Sequence, residues 1–452
     1  VNTVEFSQSQ DDSMARLDRL AELAEFALRE ARLRGASAAE VGLSEDSGLD
    51  VNVRLGEVET VEHSRDRALG LTVYVGQRKA HASSADFSAG AIRETVSQAL
   101  AIARHTEPDE AAGLADPALM ARELPDLDLW HRWALDPETA IALGVACEAA
   151  GRADPGITNS EGAGVHSAES LAVYANSHGF VGRERGTRHS LSCSLLAGQG
   201  EGMQRDHWYS SARAARDLEA PESVGRRAAE RTLARLGARE LSTRECPVLF
   251  EAEVARGLVG HLVAAVSGGA LYRRASFLLD AAGTRILPGF VTMVERPHLK
   301  RAAGSAAFDA EGVATREQPL VEAGVLTRYV LGSYSARKLG LVTTGNAGGV
   351  HNLVVEPGAD DLEALLARMG SGLLVTELMG QGVNTVTGDY SRGAAGFWVE
   401  GGRIAHPVQG VTIAGNLRQM FLGIEAIGRD VDRRGGIQTG SILVGRMTVA
   451  GT

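Results

Sequence analysis

Residues 51–75 read VNVRLGEVETVEHSRDRALGLTVYV, and their alternation decides the fold class. Val51, Val53 and Leu55, then Leu71, Val73 and Val75, fall at every second position. That period puts one face of a strand on a core and leaves the other wet. Gly56 and Gly70 read as turns, so the stretch predicts an antiparallel meander. Before it, Leu17, Leu20, Ala24, Ala27, Leu28 and Ala31 step by three and four, a helix stripe stopped by Gly35. After it, Ile92, Val96, Ala99, Leu100 and Ala103 form a second stripe. Helices flanking antiparallel strands make the class α+β.

Further out, residues 106–135 are rich in Pro, Asp and Leu and read as a connection. A helix starts at Pro137 behind Asp136 and runs to about Gly151. Thr158–Gly162 reads as a turn, followed by strands near Leu171–Asn176, Gly179–Arg183 and Ser190–Leu196. A helix near Glu222–Gly237 carries Arg226, Arg227, Arg231 and Arg235, with Arg239 just beyond, and the pattern predicts a solvated face. Residues 1–12 read as a disordered leader, 13–238 as an N-terminal α+β domain with a possible joint at 106–135, and 239–452 as a C-terminal domain. The second half is dense in glycine. Its expected strands are Gly324–Leu331, Gly372–Thr376, Ala394–Glu400 and Gly440–Val449, with helices near Asp361–Met369 and Asn416–Ile427. Short strands broken by glycine predict a curved or barrel-like sheet.

The chain has 452 residues, enough for two or three domains, and 44% of them are hydrophobic. Its net charge of −11 argues against nucleic acid as a partner. Cys147, Cys193 and Cys246 are far apart and form no CxxC pair, which excludes a disulfide framework or a thiolate metal site as the expectation. No run of 18 apolar residues predicts a membrane span, and the first twenty residues lack a signal-peptide pattern. The expected compartment is the cytoplasm.

A local zinc-hydrolase motif is absent, because no His-Glu dipeptide occurs among the twelve histidines. Ser335-Ala336-Arg337-Lys338 has Ser-x-x-Lys spacing, but the Ser-Asp-Asn and Lys-Thr-Gly elements that accompany it in penicillin-binding enzymes are missing. An ordinary helix turn is the simpler reading. The loops Thr344–Gly349 and Met379–Gly382 fit neither a P-loop nor a dinucleotide fingerprint. They read as turns, or as a wall for an extended peptide. His261, in the apolar run Val254–Val266, reads as a hydrogen-bonded core residue; His351 reads as a turn cap or a substrate contact. Cys147 reads as core packing.

Seven segments in order carry a family resemblance: Ser276–Asp280, Phe308–Val313, Ser333–Leu341, Thr344–Asn352, Val375–Gly382, Thr387–Glu400 and Ile413–Leu417. Together they resemble the TldE (PmbA) proteins of the bacterial TldD/TldE metalloprotease family. The match is dense from about residue 245 onward and looser but collinear before it. The resemblance implies that the TldD-type subunit holds zinc, through His-Glu-x-x-x-His on a helix and a later Cys. Matched through the shared Val-Gly-His, the first His falls on Arg256, the Glu on Gly257, the last His on His261, and the Cys near Thr439. This implies no zinc and no catalytic residue in this chain, with zinc in a TldD-type partner.

The implied assembly is a cytoplasmic heterodimer that cuts unfolded peptides, with roles in microcin-precursor maturation and antitoxin turnover. The chain in isolation is expected to pair with itself. An extended peptide would add as a strand to a sheet edge, with Asn346, Gly348, Gly349, His351, Gly380 and Gln381 as candidate channel residues. Two alternatives stay open at this point. One is a stand-alone peptide-binding homodimer. The other is a self-sufficient hydrolase using Ser335 and Lys338, or metal ligands gathered from distant segments.

Overall fold

A computed structural model describes residues 12–451, so all of the expected leader except Asp12 lies outside the described residues. The quoted stretch forms the end of β1 (Ala38–Arg54) and all of β2 (Glu57–Val75), joined by a tight turn at Leu55-Gly56. Both turn residues have positive φ, 55° and 83°, which matches the twist of a two-residue hairpin. Gly70 is not a turn. It lies inside β2 directly opposite Gly42 of β1, because the strand runs on for 19 residues.

β3 (Arg78–Ser84), β4 (Ile157–Asn176), β5 (Val181–Ala197) and β6 (Gln204–Ala212) complete one antiparallel sheet in the order β3-β2-β1-β4-β5-β6. Thr158–Gly162 belongs to β4, where two bulges replace the expected turn; a Cβ on Gly162 would sit 2.4 Å from the Val53 carbonyl oxygen. Four helices cover one face of the sheet. They are α1 (Ser13–Leu33), α2 (Ala89–His105), α3 (Pro137–Arg152) and α4 (Pro221–Ala234). Val41 and Leu43 pack with α1 and α2; Leu49 and Val51, in the same alternation, pack with α3 and α4. The other face, carrying Gly42, Ser44 and Gly70, is left for the second half of the chain.

Residues 106–135 form a strap pinned to that half rather than a loose connection. Asp109 pairs with Lys338 and accepts from Tyr334, and Arg337 donates to the carbonyls of Ala111, Gly113 and Leu114.

The second half contains β7 (Arg244–Phe250), α5 (Ala252–Ala265), α6 (Gly268–Tyr272), β8 (Met293–Glu295), β9 (Gln318–Glu322), β10 (Val325–Leu326) and α7 (Ser333–Leu339). It continues with β11 (Leu353–Val355), α8 (Leu362–Met369), β12 (Gly372–Met379), β13 (Asp389–Glu400) and β14 (Arg403–Asn416). The last elements are α9 (Leu417–Leu422), β15 (Ile424–Ile427), β16 (Ile437–Gln438) and β17 (Ile442–Ala450). Strands β14-β13-β12-β7-β17 pair in that order, and β17 pairs back onto β14, so five strands close into a barrel. Bulges in β12, β13 and β17 bend it. β10, β9, β8, β11 and β16 form a smaller sheet.

Two expectations change here. Ala323 and Gly324 turn with φ of 47° and 81°, so Gly324–Leu331 yields only the two-residue β10. The helix expected to Ile427 ends at Leu422, because Ile424–Ile427 pair with β17. The fold is α+β, with a closed barrel in the second half.

Candidate functional site

β7 runs straight into α5, which places Arg256 just over one turn into the helix at the seam between the two halves. Arg256 Nε lies 3.1 Å from the Glu253 carbonyl oxygen and 3.4 Å from Asp432 Oδ2; its Nη2 lies 3.4 Å from the Tyr209 hydroxyl on β6. Asp432 is 9% exposed and also accepts from Arg434. Burial pushes the Asp432 carboxyl up, but hydrogen bonds from Arg434 and the charges of Arg434 and Arg256 outweigh it and hold it below its ordinary value. Arg434 stacks over Trp208 and Tyr209, with its guanidinium carbon 4.4 and 4.2 Å from the ring centroids.

The helix α4 joins the same network. Arg231 pairs with Asp206, Glu251 and Glu253, and Arg235 with Asp206 and Glu377. Arg227 lies 3.7 Å over the Trp208 ring. The arginine face expected to be solvated is therefore partly an ion-paired seam. Arg226 and Arg239 remain exposed, whereas Arg231 and Arg235 are half-buried because β6, α5 and β12 bring carboxylates to them. Spacing on one helix carries no information about acids supplied from 20 to 142 residues away.

The four positions matched to a zinc site divide in two. Arg256 and Thr439 share one neighbourhood through Asp432, whose backbone N–H donates to the Thr439 carbonyl at 3.0 Å. The Thr439 hydroxyl is fully buried and donates to Gly440 O. His261 points elsewhere, edge-on to Tyr390 at 5.9 Å between ring centroids. Its Nε2 is buried without a hydrogen-bond partner, contrary to the expected bonded core histidine. Burial and the nearby Arg392 charge lower its pKa and favour the neutral ring. Gly257 has nothing within 4 Å of a built Cβ.

This donor set does not fit zinc. A permanent cation stands at one ligand position, a bare backbone at the general-base position and a hydroxyl at the thiolate position. Among the described residues, no group of three or more His, Cys, Asp or Glu side chains is placed to hold a metal ion.

A second feature is a cleft of about 630 Å³ between the helix-free face of the large sheet and loops 303–310 and 347–351. Its floor follows from strand register. One row is Gly70, Gly42 and Tyr174; the next is Ala68, Ser44, Ala172 and Glu184. Between Tyr174 and Glu184 at the ends of these rows, the glycine, alanine and serine positions keep the floor low and leave room above it.

Of the candidate channel residues, Gly348 and His351 line this cleft. Gly349 adjoins them and its carbonyl accepts from Asn346 Nδ2. Asn346 itself is buried, tied to Glu295 and Arg328, and supports the loop from behind. His351 is anchored by Glu295 Oε1, which accepts its backbone N–H at 2.6 Å and faces its Nδ1 at 3.2 Å. Gly380 and Gln381 lie on the β12–β13 loop and do not line the cleft. The cleft lies over a sheet face and not at an edge.

Sequence reasoning missed Asp309. Asp309 is 1% exposed and accepts the backbone N–H groups of Glu311, Val313 and Ala347, joining both loops. Burial pushes its carboxyl up to about 6 despite those bonds. Phe308-Asp309-Ala310-Glu311-Gly312 was a visible signal, since Asp followed by glycine three residues on is turn chemistry.

The Ser335/Lys338 pair does not form. Ser335 Oγ donates to Gly332 O at 3.0 Å, and Lys338 Nζ sits 2.8 Å from Asp109 Oδ1. That carboxylate raises the Lys338 pKa, the wrong direction for a base.

The family model of the PmbA/TldA metallopeptidase matches in three pieces: domain 1 over residues 39–103, the central domain over 130–236 and the C-terminal domain over 243–451. Metalloprotease PmbA of Escherichia coli O157:H7 is 50% identical over 92% of this chain and 93% of its own length. The PmbA homologue of Haemophilus influenzae is 47% identical over 97% of each. Among solved structures, a Bacteroides thetaiotaomicron protein described as a modulator of DNA gyrase superposes with a TM-score of 0.91 at 29% identity, covering 96% of this chain and 99% of that one. TldE of Thermococcus kodakarensis shares the fold, with a TM-score of 0.78 at 20% identity over 97% of this chain and 100% of that one. With the order of segments, the barrel and these matches in agreement, the chain belongs to the PmbA/TldD metallopeptidase family.

Proposed function

We propose that this chain is the zinc-free, TldE-type subunit of a two-chain metalloprotease, and that it holds an extended peptide for a zinc-bearing TldD-type partner. The observation that carries this reading is Arg256. At the position matched to the first zinc-binding histidine it is a cation already engaged by Asp432. With Gly257 beside it, no carboxylate is present there to activate water. The cleft over Gly42 and Gly70 supplies a bed for an unfolded segment. Cytoplasmic location and the turnover of microcin-type precursors or antitoxins follow from the family resemblance and belong to the same proposal. So does self-pairing of the isolated chain through the surface that meets the partner.

The test is cleavage of an unstructured peptide by this chain, by a TldD-type partner and by the mixture, each with and without chelator. The expected result is chelator-sensitive cleavage that requires the mixture. Chelator-sensitive cleavage by this chain alone would overturn the proposal. The Ser335/Lys338 form of the hydrolase alternative is disfavoured, because the two side chains are bonded to different groups; chelator-sensitive cleavage by this chain alone would favour the form that uses dispersed metal ligands.

A further inference from the structure

One end of the barrel holds three polar groups that nothing in the chain satisfies. Tyr390, Arg392 and Ala394 alternate onto the inner face of β13, and the strand register sets Arg392 in a row with Ile413 and Val449, both fully buried. Arg392 is half-buried, its Nε is sealed from solvent without a hydrogen-bond partner, and its guanidinium pairs with no carboxylate among the described residues. His261 of α5 meets the same face, with its ring edge-on to Tyr390 and its buried Nε2 unpartnered. Tyr390 is 2% exposed, and its hydroxyl also has no hydrogen-bond partner among the described residues. Arg392 is the only charged group that bears on either ring.

All three groups can donate: the guanidinium always, the phenol, and the neutral imidazole through one N–H. The chain brings them no acceptor. A cation in an apolar row is costly until an anion meets it, and removing solvent makes that pairing stronger. A guanidinium offers parallel N–H groups that match the two oxygens of a carboxylate, and the phenol and imidazole can serve its remaining lone pairs. There is also a way in. β12 stops pairing at Met379, opposite Gly393, so the ladder opens beside Arg392. The exposed loop Gly380-Gln381-Gly382 leaves at that point, held by the Ser391 N–H donating to the Gly382 carbonyl.

We infer that this end of the barrel is a binding site for a carboxylate, held by Arg392 with the Tyr390 hydroxyl and His261 Nε2 as further donors. None of the three residues lines the cleft, so the site is separate from it. That a peptide carries the carboxylate rests on the peptide-holding reading above. The group is a peptide's C-terminal carboxylate or an Asp or Glu side chain.

The experiment measures anisotropy of ten-residue peptides of Ala, Ser and Thr, labelled at the N-terminus with an uncharged dye, on the purified full-length chain. Three are compared: a C-terminal acid, the C-terminal amide, and the amide with one central Glu. The expected result is binding of the acid about tenfold tighter than the plain amide, with the ratio falling to about one in Arg392→Met. A Glu amide that matches the acid, and loses its advantage in the same variant, would support the site with a side chain as the source. Thermal denaturation of the ligand-free variant gives a second reading. Removing an unpartnered cation should leave the midpoint no lower than that of the wild type. A clearly lower midpoint would show the guanidinium already paired within the chain and overturn the inference. Equal binding of all three peptides to the wild type, or a ratio unchanged in Arg392→Met, would also overturn it and leave the three donors to water. Binding that ignores the carboxylate would leave the peptide-holding reading standing, whereas no binding of any peptide would remove both.

Discussion

Arg256 Nε lies 3.4 Å from Asp432 Oδ2, and the same carboxylate holds Arg434, so one buried acid ties α5 to the segment before β16. Arg434 in turn donates to the Tyr209 carbonyl of β6. Arg256, Asp432 and Arg434 thus form a weld between the two halves of the chain.

The weld predicts unequal costs. Asp432→Ala removes the carboxylate shared by two guanidinium groups, leaving Arg434 to Glu253 and the Tyr209 carbonyl and Arg256 to the Glu253 carbonyl, and is expected to destabilise by about 3 kcal/mol. Arg256→Ala leaves Asp432 paired with Arg434 and is expected to cost about 1 kcal/mol. Urea titration of both variants checks the order, and a larger loss for Arg256→Ala would contradict it.

The same acid predicts a pH dependence. Its folded pKa lies below the ordinary 3.8, so its contribution is complete above that value and fades as pH falls toward the folded pKa. The stability gap between wild type and Asp432→Asn should be constant from pH ~7 to ~5 and shrink below pH ~4. A gap that widens on acidification would refute the assignment.

Gly257 stands in open space within a helix, so Gly257→Ala should raise stability by about 1 kcal/mol. Gly257→Glu restores a carboxylate but leaves Arg256 and Thr439 in place. It should retain no zinc after gel filtration, as measured by elemental analysis. Stoichiometric zinc would show that distant ligands had been overlooked.

Gly42 tests the cleft more cleanly than Gly348. A Cβ at Gly42 meets nothing within 4 Å, whereas Gly348 has a φ of 93° that strains any side chain. Gly42→Leu should abolish peptide binding while changing stability by no more than ~0.5 kcal/mol. Full binding by this variant would place the peptide elsewhere.

Gly396 reports on barrel closure. A Cβ there would fall 1.9 Å from the Leu374 carbonyl oxygen, beside the bulge in β13. Gly396→Ala should therefore cost about 3 kcal/mol. Thermal denaturation near that of the wild type would mean that the sheet can spread.

The strand alternation at Val51–Val75 and the helix stripes at Leu17–Ala31 and Ile92–Ala103 were legible because a buried face repeats at the period of its own element. The α+β class, the barrel-like second half and the family followed from local pattern and from the order of short segments. That Arg256 carries a guanidinium and Gly257 no side chain is read from the sequence directly, since neither needs a neighbour to define it. Gly70 misled because a glycine in a pattern marks either a bend or a close approach, and only its partner Gly42 decides which. Arg231 and Arg235 misled because helical spacing shows which residues share a face but not what covers it. Asp432 and Tyr209 were silent for the same reason: their partners arise from segments far apart in the chain. Sequence alone determined which groups this protein possesses and the elements they ride on. Tertiary structure decided which of them are paired and neutralised, as Asp432 is by Arg256 and Arg434, because pairing and desolvation are properties of surroundings and not of residues.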